Sequence, residues 1–270
     1  MKKSTFDFYK KEILSFADDT RDVVVDRNGN ITFMRFNQIM TVSIREDVEG
    51  HIVITYNGHD FPYKTFLAKH MASLDLMAQR ILDNDPQQED IYYVDGGAVL
   101  LTDDEPNSGG TGLKLINHEC TRQVPMGSKI CFVTANAGHG KTHLLRRYQH
   151  EQAKRYKNNE SNFIFLHIDL HGRNLHGLDE MMLYEIHDRL HIPGIYTQSI
   201  MTLMRNSLLI LGVDGFDELS AETDGEKAIG SFSNLIHSLD GQGTLIAASR
   251  RTFFNTQDYL KQKNLISDIS

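Results

Sequence analysis

The chain has 270 residues, 40% of them hydrophobic and 24% charged, a balance that suits a soluble globular protein with one large or two ordinary domains. Its formal net charge of -8 argues against a surface built throughout for nucleic acid or anionic lipid. Two cysteines are too few for a disulfide framework, and no apolar run approaches the roughly 20 residues of a membrane span, so reduced thiols in a cytoplasmic protein are expected and membrane contact is not.

The elements of the first half are short. An opening helix over residues 5–18 leads to strand candidates at 23–25, 31–36, 40–45 and 51–56. The turns between them fall at Asn28-Gly29-Asn30, Glu49-Gly50 and Asn57-Gly58, residues that accept positive φ readily. A helix follows, because Leu67, Met71, Leu74, Ala78, Ile81 and Leu82 recur at steps of three and four, and the stretch from Asp83 to Pro86 ends the pattern. Two further strands at 91–94 and 98–101 close a small α+β unit, assigned to residues 1–105. Residues 102–112, rich in Asp, Pro, Asn, Ser and Gly without apolar periodicity, read as a linker.

From residue 112 onward strand and helix alternate, as in a parallel sheet covered on both faces. Strand candidates at 129–134, 163–170, 207–213 and 244–248 are apolar nearly throughout. Helices are expected over 141–158, 178–190, 197–205 and 226–239. The fold class is therefore α/β, with a smaller α+β domain in front.

The strongest chemical signal is Ala135-Asn136-Ala137-Gly138-His139-Gly140-Lys141-Thr142, which follows an apolar strand and opens a helix. That is the context a phosphate-binding P-loop requires. Several backbone N–H groups must converge on one anion, and Gly138 and Gly140 suit a backbone that approaches it closely. The helix starting at Lys141 adds the positive end of its dipole. Lys141 would bridge β- and γ-phosphate oxygens, and the Thr142 hydroxyl would coordinate Mg²⁺. Ala135 stands where the first glycine of the motif is usual. His139 and His143 flank the lysine and belong to the same nucleotide-binding set.

A second apolar strand ends in Asp214-Gly215-Phe216-Asp217-Glu218-Leu219. A carboxylate at the C-terminal end of such a strand lies beside the P-loop mouth, and Asp214 is assigned to the metal there. Asp217 and Glu218 follow within one turn, so either can orient or deprotonate the attacking water, with Asp217 the first choice. The last strand runs into Ser249-Arg250-Arg251, where Arg250 can face the γ-phosphate or cap the sheet end. Arg146, Arg147, Lys154, Arg155 and Lys157 read as a solvated helix face that could also touch phosphate. The histidines lack the i, i+4 pairing with an intervening Glu that a helix-borne zinc site needs; His167 and His171 stand four apart, but across a strand end and without an evident third ligand.

These residues resemble the NACHT-type branch of the STAND nucleotide-dependent switch ATPases. Residues 137–142 resemble that family's Walker A signature, and Leu208 to Leu211 with the Asp214–Leu219 stretch resembles its Walker B, in which a small residue follows the first Asp and an acidic pair comes after. Ala248-Ser249-Arg250 is similar to its first sensor. The resemblance covers residues 112–270. It implies a sheet in the order 5-1-4-3-2, ATP and Mg²⁺ as ligands, and a conformational switch in intracellular sensing or defence, prokaryotic antiviral immunity among the options, that engages protein partners or its own copies on activation. An AAA+-like motor or loader acting on nucleic acid or protein, and a non-hydrolysing nucleotide-binding scaffold, are the competing readings; nucleic acid is not otherwise indicated as a partner. The family's winged-helix, lid and repeat-type sensor regions would fall beyond Ser270, so the chain is expected either to be part of a longer protein or to work without that closure.

Overall fold

A computed structural model describes residues 2–84, 94–100, 108–122, 127–170, 178–215, 236, 237, 239 and 242–250. Helix α1 (Lys3–Leu14) is followed by β1 (Val24–Val25), β2 (Asn30–Arg35), β3 (Gln38–Glu46), β4 (Ile52–Tyr56) and β5 (His59–Pro62). The five strands form an antiparallel meander in chain order. One face of β2 and β3 is buried through Ile31, Phe33, Met40, Val42 and Ile44, which alternate with exposed or half-buried residues. Two of its hairpins are two-residue turns with both residues at positive φ, Phe36-Asn37 and Asn57-Gly58, the geometry that matches strand twist. The second of these folds the chain back into β5, a strand the apolar pattern does not announce, since His59, Asp60 and Pro62 suit only a sheet edge.

The single helix expected after the meander is broken into pieces. Helix α2 (Tyr63–Phe66) runs into a π-helical turn (Leu67–Met71), and after Ser73 at φ +50° helix α3 (Leu74–Asn84) begins. The break has a partner in the sheet. The buried Arg35 guanidinium donates to the carbonyls of Met71 and Phe16, and to that of Gly194 at 3.0 Å, so the oxygen freed where the helix stops is satisfied. Burial, the largest influence on Arg35, lowers its pKa to about 10.

Strands β6 (Gly97–Leu100) and β7 (Ser108–Thr111) pair as an antiparallel hairpin and lead into helix α4 (Gly112–Thr121). Residues 108–111 are therefore strand rather than linker. Ser-Gly-Gly-Thr has no apolar pattern because β7 is defined by backbone pairing alone.

The second half holds β8 (Lys129–Ala135), α5 (Lys141–Lys157), β9 (Ile164–Asp169), α6 (Leu178–Tyr184) continued by a π-helical turn (Glu185–Arg189), α7 (Thr197–Arg205), β10 (Leu209–Asp214) and β11 (Thr244–Arg250). The four strands form a parallel sheet in the order β8-β11-β10-β9. That is the 1-4-3-2 part of the expected order; the strand numbered 5 and most of the helix expected over 226–239 lie outside the described residues. Both faces are covered, which is why the strands are apolar nearly throughout. Ile164, Leu166, Leu209, Leu211, Leu245 and their neighbours join α6, α7 and the N-terminal elements in one core, while Phe165, Ile210, Ile246 and Ala248 pack under α4 and α5. The first of these cores is continuous from Ile13 through the antiparallel sheet to the parallel one.

Gly212 in β10 has a steric reason. A Cβ built there would lie 2.2 Å from Cζ of Phe165, a fully buried ring that meets Tyr148 edge-on with centroids 4.8 Å apart. Gly212→Ala should therefore cost about 1–3 kcal/mol through overpacking, measured as a lowered midpoint in urea with an unchanged m-value; a neutral result would mean that the ring can step aside.

Among the described residues no helix is long and apolar enough to cross a membrane. Cys120 and Cys131 are free thiols, and burial, the first cause for each, pushes both up to about 12.

Candidate nucleotide-binding site

The loop between β8 and α5 lies at the C-terminal edge of the parallel strands. Gly138 and Gly140 stand at φ +78° and +79°, and Gly140 is the N-cap of α5. A Cβ at either position would meet no atom within 4 Å, so it is the left-handed backbone, rather than crowding by the protein, that requires glycine here. The same fact leaves the space over the loop open. Gly140 supplies no capping side chain, and the first-turn amides of Lys141, Thr142 and His143 have no carbonyl within the helix to donate to. Free amides, a dipole end and open space together fit a phosphate group.

Around that hollow, Asn136, Ala137, Gly138 and His139 are exposed, and Lys141 and Thr142 are half-buried. The Lys141 ammonium donates to the carbonyl oxygens of Ala135 at 3.1 Å and Asn136 at 3.3 Å. It is thus held over the loop it would serve. His139 Nδ1 lies 3.2 Å from the Ala137 carbonyl oxygen, and His143 is exposed on the first turn of α5.

Parallel strands bring the distant residues to the same edge. Asp214 is the last residue of β10 and pairs with Ala248 of β11, which pairs in turn with Val133 of β8, two residues before the loop. Two strand spacings of about 4.8 Å separate the strand bearing the carboxylate from the strand bearing the loop. Two residues further along β11, Arg250 pairs with Ala135, where the loop begins. Ala135 to His143, Asp214 and Arg250 therefore share one edge of the sheet. Asp217 and Glu218, and with them Arg251 and His171, lie outside the described residues.

Asp214 is 1% exposed, and its Oδ2 lies 3.6 Å from Nε2 of His167, which is completely buried. On the neighbouring strand Asp169 pairs in register with Asp214 and takes a contact from Arg146 of α5 at 3.1 Å. Of the basic stretch on α5, Arg146 is thus engaged by the sheet, and Arg147 and Arg155 are engaged by Glu151 and Asn117. Sequence reading passed over Asp169 and weighed His167 only as a zinc ligand. The signal was present: in Phe165-Leu166-His167-Ile168-Asp169, the two polar residues fall on alternate positions of a strand buried on both faces, hence on one side of it.

Among the described residues no three His, Cys, Asp or Glu side chains are grouped to hold a metal ion. Mg²⁺ in phosphate sites needs no such cage, since it takes one or two protein ligands and fills its shell with phosphate oxygens and water.

The family model of the NACHT domain matches residues 129–268, just over half of the chain. The chain belongs to the NACHT family. No curated protein matches it. Its NACHT domain begins with β8 and contains the phosphate loop, the Asp214 strand and β11, so the chain carries a P-loop NTPase nucleotide-binding module. Helix α4 and the hairpin before it precede the matched region, yet Ile116 and Cys120 of α4 pack into the apolar cluster beneath α5.

Proposed function

We propose that the chain is an ATP-binding, slowly hydrolysing switch module of the STAND type, acting in the cytoplasm in sensing or defence, prokaryotic antiviral defence included. In this reading residues 112–270 form the switch core and residues 1–105 carry the effector or adaptor task, with protein partners or further copies of the chain engaged on activation. The observation that supports it best is the shared edge: a phosphate loop with uncapped amides and a buried carboxylate, brought together by a parallel sheet.

Each residue then has a part. The amides from Ala135 to His143 cradle the phosphates, Lys141 exchanges its loop carbonyls for phosphate oxygens, and His139 and His143 line the nucleotide. Thr142 and Asp214 hold Mg²⁺, which when bound neutralises charge on the phosphate oxygens. Asp217, with Glu218 beside it, orients or deprotonates the attacking water, and Arg250 senses the γ-phosphate from the start of the loop.

The test is the nucleotide carried by freshly purified protein, followed by calorimetry. Retained ADP and binding of ATP that strengthens with Mg²⁺ are expected. Asp214→Ala should bind ATP in EDTA as the parent does and lose the strengthening. A folded parent chain with no affinity for ATP or ADP would end the proposal. Turnover that rises steeply with DNA, RNA or a protein partner would replace the switch by a motor, and turnover unchanged in Asp217→Asn and Glu218→Gln would replace it by a scaffold.

A further inference from the structure

The edge of the parallel sheet carries one buried group that this chemistry leaves unused. His167 lies on β9 in register with Gly212 of β10, one rung before the pairing of Asp169 with Asp214. Its side chain is completely buried, and neither ring nitrogen has a hydrogen-bond partner among the described residues. Leucine or methionine would fill the same place without leaving two polar atoms dry. With glycine opposite, the polar contact of the imidazole across the strand pair is diagonal: Nε2 to Asp214 Oδ2, 3.6 Å. The backbone beneath it is pinned as well. β9 is an edge strand among the described residues, and the His167 N–H donates to Gln149 Oε1 of α5 at 2.6 Å. The strand that carries the imidazole is thus fixed to the helix that opens at the phosphate loop.

We infer that His167 is the positioning residue for Asp214, its imidazole holding one carboxylate oxygen so that the side chain is set before a magnesium ion arrives. The inference rests on the nucleotide-site reading above. His167 itself touches neither nucleotide nor metal; it acts through the carboxylate, in the manner of groups that orient a metal ligand from behind.

The experiment measures ATP affinity of the whole chain in Mg²⁺ and in EDTA, the ratio of the two being the magnesium increment. His167→Leu should reduce that increment by about tenfold and leave the affinity in EDTA and the apo Tm near those of the parent. His167→Gln, whose amide nitrogen reaches the place of Nε2, should recover most of it. In an Asp214→Asn background, His167→Leu should change the increment no further. An unchanged increment in His167→Leu, or an equal loss in EDTA and in Mg²⁺, overturns the inference, the second by revealing a packing role. Should His167→Leu fail to fold, His167→Gln against the shorter His167→Asn decides, since both keeping the increment also overturns it. A parent that binds ATP equally with and without Mg²⁺ removes the role of Asp214 and this inference with it, while the phosphate loop stands. A parent that binds no ATP removes the nucleotide reading itself.

Discussion

Lys141→Ala should weaken Mg·ATP binding roughly 10- to 150-fold, the equivalent of about 1.5–3 kcal/mol for a charge-assisted contact. The figure is a difference. In the structure the ammonium already donates to the Ala135 and Asn136 carbonyls, so binding exchanges two neutral acceptors for charged ones and does not start from an unused cation. The exchange also explains why the loss should be confined to binding. Without the lysine, those carbonyls at the start of the loop turn to water, a change that costs little at an exposed position, so Tm should fall by no more than a degree or two. Lys141→Arg should not restore affinity, because a planar fork does not replace a compact ammonium held this close to the backbone. Calorimetry with ATP in Mg²⁺ checks both variants, and parent-like affinity in Lys141→Ala would remove the lysine from the site.

The phosphate loop was legible in the sequence because an anion imposes its demands locally. Residues 135–142 must be contiguous, must follow a strand and must open a helix, and the glycines must come where φ turns positive. The proposed role of Asp214 was suggested by a related signal: a carboxylate closing an apolar strand is costly unless the strand end has a use for it. The strands of the sheet were equally plain, since burial on both faces leaves an apolar run. What stayed hidden depends on pairing across distance. β5 exists because Asn57-Gly58 turns the chain back, and nothing in His-Asp-Phe-Pro says so. Helix α4 follows two glycines, with its apolar side set by packing under α5. The break before α3 is determined by Arg35, which lies 36 residues earlier than the Met71 carbonyl it reaches.

The attachment of the N-terminal elements to the NACHT core was the least legible feature, and it supports the other large prediction. Glu12 of α1 is 2% exposed and gathers three donors from two parts of the chain. The Tyr63 hydroxyl reaches it at 2.7 Å, Arg205 Nε at 3.0 Å and Asn206 Nδ2 at 2.9 Å. Arg205 ends α7 and Asn206 caps it, and three residues later β10 begins its run to Asp214. Glu12→Ala should therefore cost about 3–5 kcal/mol, because it removes a buried acceptor shared by a largely buried guanidinium and two other donors. Glu12→Gln, which keeps an acceptor oxygen, should cost less. Chemical denaturation measures both, and a loss below about 1 kcal/mol in Glu12→Ala would mean that this junction is solvated and weak. Tyr63 adds a pH signature. Burial first and the Glu12 carboxylate second raise the pKa of its hydroxyl, so the folded state keeps a proton that the unfolded state gives up. The stability from this group is complete below about pH 10, the unfolded value, and is lost as the pH rises beyond it. Tyr63→Phe should start from a lower stability at neutral pH and decline less steeply in alkali, and parallel alkaline profiles for the two proteins would show that the hydroxyl is not what holds α2 to Glu12 of α1.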